Sequence, residues 1–166
     1  MSSALKNLSS FSLEGISTGA TDMKFGILVS EWNTEITSAL YEGALATLLE
    51  LGATAKNIFR KNVPGSYELT LGAQYFAEYT HVDAIICLGC VIQGETRHFD
   101  FICQAVATGL TDISIKYNKP FIFGVLTTET LKQAKERSGG KHGNKGIEAA
   151  ITAVKMIALK KEFTKK

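Results

Sequence analysis

The chain alternates four times between short apolar runs rich in branched residues and longer segments whose apolar residues recur at helical spacing. Residues 24–30 (KFGILVS) form the first run, and Asn33 and Thr34 after it are good helix-start residues. From residue 35 to 51, Ile36, Leu40, Ala44, Leu45, Leu48 and Leu49 share one helical face, and Gly52 supplies a stop. The cycle repeats with strands over 54–62, 84–90 and 121–126, helices over 66–79, 97–117 and 129–137, and a final helix over 145–161. The strands read as continuous apolar runs, which predicts a sheet covered on both faces. The expected fold class is therefore α/β, a doubly wound domain on a central four-stranded parallel sheet with right-handed crossovers. The 166 residues suit one domain, with a core over 22–163 and an N-terminal arm over 1–21. Residues 11–21 have no partner in this scheme, and an extra strand added to a neighbouring subunit is the use left open for them.

The bulk properties exclude several classes of function. A net charge of +2 is too small to argue for nucleic acid or an acidic membrane. Every apolar run is cut by charge or glycine before it is long enough to span a bilayer. The N-terminus lacks the basic-then-apolar layout of a secretion signal, so a cytoplasmic setting is expected. Three cysteines, an odd number, make no disulfide framework. Cys87 and Cys90 form a CxxC, but within an apolar strand residues three apart point to opposite faces. No second pair completes a zinc site, and a redox CxxC would open a helix. Two buried structural thiols are the expectation, with no metal held between them.

Ligands of open parallel sheets bind beyond the carboxyl ends of the strands, so the segments after each strand carry the candidate chemistry. Glu31-Trp32-Asn33 follows the first strand, Val63-Pro64-Gly65-Ser66-Tyr67-Glu68 the second, and Val91-Ile92-Gln93-Gly94-Glu95-Thr96-Arg97-His98 the third. Gly94-Glu95-Thr96 leads into a helix start, where free N–H groups and the helix dipole favour a phosphate; the ordinary alternative is that Thr96 only caps the helix. His98 lies beside that turn, and a histidine there is a candidate proton carrier. Trp32 and Tyr67 can stack on a planar ring or pack as rim aromatics. Glu68 can accept hydrogen bonds from a ligand or simply favour a helix start. The segment 137–146 (RSGGKHGNKG) is basic and glycine-rich but follows a helix, so it is no Walker loop. It is either a solvated turn or one in which Arg137 makes a forked contact to phosphate. Its place in the chain favours a neighbouring subunit's site over its own. The basic tail, Lys160-Lys161 and Lys165-Lys166, reads as a solvated helix end.

Five segments, FGILVSEWN, NVPGSYELTLGA, GCVIQGETRHFDFI, KPFIFGVLTTET and QAKERSGGKHGNKG, stand in an order and spacing that resemble the lumazine synthases from Phe25 to the final helix. The resemblance implies a flavodoxin-like domain in pentamers with active sites between subunits. It also implies an enzyme of riboflavin synthesis that needs no cofactor. Its substrates would be 5-amino-6-(ribitylamino)uracil and 3,4-dihydroxy-2-butanone 4-phosphate, its products 6,7-dimethyl-8-ribityllumazine, phosphate and water. By the same resemblance Trp32, where the family usually has Phe, stacks on the pyrimidine. Ser66, Tyr67 and Glu68 hold the ribityl chain, and Cys90, Val91 and Ile92 line the ring with backbone groups. Glu95 and Thr96 offer N–H groups to the phosphate, with the Glu95 side chain turned away. His98 transfers protons. Phe123 and Arg137 come from the neighbouring subunit, Arg137 onto the phosphate, with Lys145 assisting. The short turn at 139–146 resembles members that build icosahedral shells of 60 subunits from twelve pentamers; whether a riboflavin synthase sits inside such a shell is left open. The rivals are a flavin-binding flavodoxin-like carrier, a riboflavin synthase of the related type, and a catalytically silent shell subunit. His98 and Arg137 argue against the carrier, the phosphate features against the synthase, and His98 against the silent subunit.

Overall fold

A computed structural model describes residues 19–164. Most of the expected arm, 1–18, and the last two lysines lie outside the described residues. Within them Ala20 is fully buried, and its N–H donates to the carbonyl of Leu51. The packed unit thus takes in at least one residue of the segment read as arm.

Four parallel strands, β1 (Phe25–Ser30), β2 (Ile58–Val63), β3 (Ala84–Ile92) and β4 (Phe121–Thr128), form one sheet in the order β2-β1-β3-β4. Helices α1 (Thr34–Glu50), α2 (Leu69–Tyr79), α3 (His98–Tyr117), α4 (Leu131–Glu136) and α5 (Lys145–Thr164) cover it on both faces. The doubly wound parallel fold expected from the alternation is the one observed. Alternate residues along the strands feed two cores. Phe25, Ile27 and Val29 of β1 and Ile86, Leu88 and Cys90 of β3 pack with α1 and α5. Leu28, Ile85 and Cys87 pack with α2 and α3 on the other face.

Several expected boundaries shift, each for a local reason. The strand expected from 54 begins at Ile58, because residues 55–57 make a single 3-10 turn. Nor is β2 a continuous apolar run. It is an edge strand whose central residues are exposed, and Arg60 stacks on the ring of Tyr41 at 4.2 Å. Helix α2 starts at Leu69, three residues later than expected, because Ser66 to Glu68 form the turn into it. The basic turn contains a small antiparallel hairpin, β5 (Ser138–Gly140) and β6 (Gly143–Asn144). It has no apolar alternation, so its pairing left no pattern in the sequence.

The most extensive helix–helix contact joins α1 to α5. Its seam is built from small residues, among them Ala44, Ala149, Ala150 and Ala153. The approach is closest at Gly146, where a Cβ would sit 1.8 Å from the carbonyl oxygen of Leu40. No rotamer relieves a clash with backbone, so the helices must separate if any side chain is added.

Cys87 and Cys90 belong to opposite cores, which confirms the parity argument against a shared ligand. Burial pushes the Cys90 thiol up to about 11 and the Cys87 thiol higher still. A thiol whose pKa rises on folding adds stability while it is neutral, and that stability is lost as pH climbs past the unfolded value.

Two outcomes are expected. Gly146→Ala lowers stability by about 3 kcal/mol or more, at the upper end for overpacking, read as the denaturant midpoint. Iodoacetamide at pH 8 leaves Cys87 and Cys90 unmodified in the folded protein and labels both after denaturation, with peptide mass spectrometry as the readout. Labelling of either in the native state would contradict their burial.

Candidate active site

Strands β1 and β3 lie side by side, yet the helices that come after them pack on opposite faces, α1 on one and α3 on the other. Their exits diverge and open a crevice at the carboxyl edge, the position where open parallel sheets bind ligands.

Beyond β1 the chain turns through Glu31-Trp32-Asn33. Asn33 adopts left-handed backbone (φ 59°, ψ 47°), which Asn tolerates better than most residues. It precedes α1 as expected, but its side chain does not cap the helix. Its amide donates instead to the carbonyl of Cys90 at 2.9 Å, which ties the ends of β1 and β3 together. The N–H groups of Glu31 and Trp32 donate to the carbonyls of Val63 (2.9 Å) and Pro64 (3.3 Å), tying the same turn to the exit of β2. Trp32 is therefore held by its backbone while its side chain stays 72% exposed.

The β2 exit brings three more of the expected residues to the same place. A Cβ on Gly65 would touch both the Trp32 indole (3.3 Å) and a carboxylate oxygen of Glu68 (3.1 Å), so the three are neighbours. Glu68 occupies the N-cap position of α2 but makes no side-chain cap bond. Tyr67 is 59% exposed. Two large rings thus stand at one edge with apolar surface free for a flat ligand. Ser66 is buried against Gly89, where a Cβ would come within 2.6 Å of its hydroxyl.

At the end of β3, half-buried Val91 and Ile92 continue from Cys90 along the crevice. Gly94, Glu95 and Thr96 come next, all exposed. Helix α3 then runs for 20 residues with Arg97 as N-cap and no side-chain cap bond there. Thr96 accepts from the N–H of His98 at 3.4 Å, the outer limit of a hydrogen bond, so it caps weakly at most. His98 is the first residue of the helix and is exposed. The first-turn amides and the positive end of the dipole face the edge where an anion can dock.

Phe123 and Arg137 are not part of this group. Phe123 lies mid-strand in β4, in register with Cys87, and is 40% exposed. It lines a cavity of about 480 Å³ with Phe121, Lys145, Glu148 and Met156, to which none of the strand-end residues contributes. Arg137 ends α4, where its guanidinium donates to the carbonyl of Gln133 at 3.1 Å. Its own carbonyl accepts from the N–H of Lys145 at 2.9 Å. In that cavity the ammonium of Lys145 meets the buried carboxylate of Glu148 at 2.7 Å. Glu148 escaped the sequence reading, although an acid three residues after Lys145 in a helical first turn was a visible signal.

Among the described residues no group of acids, histidines and cysteines is arranged to hold a metal ion. No helix among them is long and apolar enough to cross a membrane.

The 6,7-dimethyl-8-ribityllumazine synthase family profile matches residues 22–161. A relative of that name from Cytophaga hutchinsonii is 63% identical over 158 residues, covering 95% of this chain and 98% of the relative. Those from Porphyromonas gingivalis and Parabacteroides distasonis are 52% and 49% identical, again over at least 95% of this chain and 98% of each relative. The chain therefore belongs to the 6,7-dimethyl-8-ribityllumazine synthase family.

Proposed function

We propose that the chain joins 5-amino-6-(ribitylamino)uracil to 3,4-dihydroxy-2-butanone 4-phosphate at a site completed by a second copy of itself. It is a transferase of riboflavin biosynthesis, as its family membership requires. The observation that carries the site assignment is the crevice between β1 and β3, with exposed rings on one side and the uncapped start of α3 on the other.

Trp32 stacks on the pyrimidine, and Cys90, Val91 and Ile92 present backbone groups to its edge. Ser66, Tyr67 and Glu68 hold the ribityl chain. The amides of Glu95 and Thr96 and the helix dipole hold the phosphate, with the Glu95 carboxylate turned to solvent. Phe123 and Arg137 reach the site from the neighbouring copy. Their position away from the crevice of their own chain supports this reading, and so does the joining of Arg137 to Lys145 at one place in the fold.

The chemistry asks for proton transfer and charge stabilisation. The 5-amino group adds to the ketone, and loss of water gives an imine. Removal of a carbon-bound proton expels phosphate, and tautomerisation leaves a new carbonyl. The ribityl nitrogen attacks that carbonyl, and a second water leaves as the ring closes. His98 carries protons between these steps, while Arg137 and the start of α3 stabilise the departing phosphate. Holding an amine and a carbonyl together supplies much of the acceleration.

Pentamers, assembled twelve at a time into a shell, are the proposed quaternary structure, supported by the short connection 138–144 between α4 and α5. The cytoplasm is the proposed setting, which three free thiols fit. A riboflavin synthase inside the shell is a proposed partner. Neither a flavin carrier nor a catalytically silent subunit finds support beside the family match.

Mixing the two substrates and following lumazine absorbance against a protein-free control tests the reading. Formation well above background is expected. Arg137→Ala raises KM for the sugar phosphate at least tenfold, the cost of about 1.4 kcal/mol or more in a charged contact. His98→Ala lowers turnover about a hundredfold or more yet stays above an unfolded control. No rate above background from folded, assembled protein would overturn the assignment. Light scattering is expected to find a shell-sized particle; a pentamer-sized one across all buffers would refute the shell.

A further inference from the structure

Asn144, the last residue of β6, is the only buried residue of the hairpin between Ser138 and Lys145. Its amide nitrogen donates to the carbonyl of Ala39 in α1 at 2.9 Å, and its amide oxygen accepts from the N–H of Gly146 at 2.8 Å. A helical carbonyl keeps a second lone pair after its own helix bond, and Asn144 uses it. With an acceptor on one side and a donor on the other, only one orientation of the amide satisfies both. Two glycines make room. A Cβ on Gly43 would lie 2.6 Å from the Asn144 amide nitrogen, and Gly146 allows the close approach of α5 to Leu40.

This joint sits between two cations. Arg137 stands at one end of the hairpin and Lys145 at the other, linked by the bond from the Lys145 N–H to the Arg137 carbonyl. The hairpin itself is short, and besides Asn144 it is tied back to α4 by the His142 N–H, which donates to the carbonyl of Glu136 at 2.7 Å. Gly139 (φ 121°) and Gly143 (φ 78°) lie in the left-handed region, and so short a two-stranded ribbon does not hold itself together. The exposed pair Lys135–Glu35 at 2.8 Å also links α4 to α1, but such pairs contribute little.

We infer that Asn144 is a positioning residue for the phosphate-binding cations, fixing the hairpin on α1 so that Arg137 and Lys145 are presented at a set height and angle. This rests on the proposed role of Arg137. It adds a residue that touches no substrate and acts on one substrate only. The sugar phosphate should feel its loss and the pyrimidine should not.

The experiment varies each substrate separately in the assembled enzyme, with inorganic phosphate as a competing probe. Asn144→Ala is expected to raise KM for the butanone phosphate and the inhibition constant for inorganic phosphate about tenfold, as a small misplacement of a binding group does. KM for the pyrimidine should stay within about twofold. Gly43→Ala pushes the intact Asn144 off its partner and should give the same split. Asn144→Asp keeps the bond to Gly146, loses the one to Ala39, and should fall between. Leu110→Ala, in the opposite core, controls for lost stability, and Arg137→Ala for the phosphate contact itself. If Asn144→Ala does not fold, Gly43→Ala and Asn144→Asp decide on the same split. An unchanged KM for the sugar phosphate, or both KM values rising together as in Leu110→Ala, overturns the inference. If Arg137→Ala raises that KM while the Asn144 and Gly43 variants do not, the inference alone falls. If Arg137→Ala leaves it unchanged, the role of Arg137 falls and the inference with it.

Discussion

Two parallel strands cannot be joined by a tight turn, and the rest of this molecule depends on that. Each strand but the last must be succeeded by a crossover that climbs back over the sheet. All four strands consequently leave the sheet at the same edge, and the residues that begin each crossover are gathered there. Because β1 and β3 are neighbours whose crossovers take opposite faces, the edge is split at one place, and the bond from Asn33 to Cys90 spans that split. The start of α3 is left facing solvent because the chain turns through exposed Gly94, Glu95 and Thr96 before the helix begins. Topology, rather than any single motif, gathers the rings and the helix amides at one edge.

The molecule divides its labour between the sheet's two flanks. The β1–β3 crevice carries flat surfaces and a helix dipole; the β4 flank carries Phe123, Lys145 and Glu148 beside a cavity. A single chain thus has two unlike surfaces. The hairpin that joins α4 to α5 is clamped to α1, a helix that also opens at the crevice.

Much of this is legible in the residues. The branched runs of β1 and β3 and the helical periodicity of α1 and α5 determine the layering. The spacing of Cys87 and Cys90 settles that they face different cores. Trp32, Tyr67 and His98 stand out because each lies just past the carboxyl end of a strand, where a parallel sheet takes its ligands. The details that stay hidden depend on partners distant in the chain. Asn33 reads as a helix-start residue, and only its position beside Cys90, 57 residues away, gives its amide another use. Asn144 reads as part of a polar turn until α1 supplies the carbonyl of Ala39, 105 residues earlier. Hairpin β5–β6 is invisible because backbone pairing among glycines leaves no hydrophobic alternation. The start of β2 is obscured because a 3-10 turn needs no distinctive residues.

The strand order also sets a timetable. Synthesis runs from the N-terminus, so β1 meets β2 first and acquires only one of its two neighbours. Its other edge waits for β3, which is complete only at Ile92. Until more than half of the chain has been made, an apolar central strand has an open side, and such edges invite the wrong pairing. The crevice cannot exist before that moment, since one wall is β3 itself. A nascent chain that stalls near its midpoint would carry one wall of that crevice and an unpaired central strand, the kind of edge that invites aggregation.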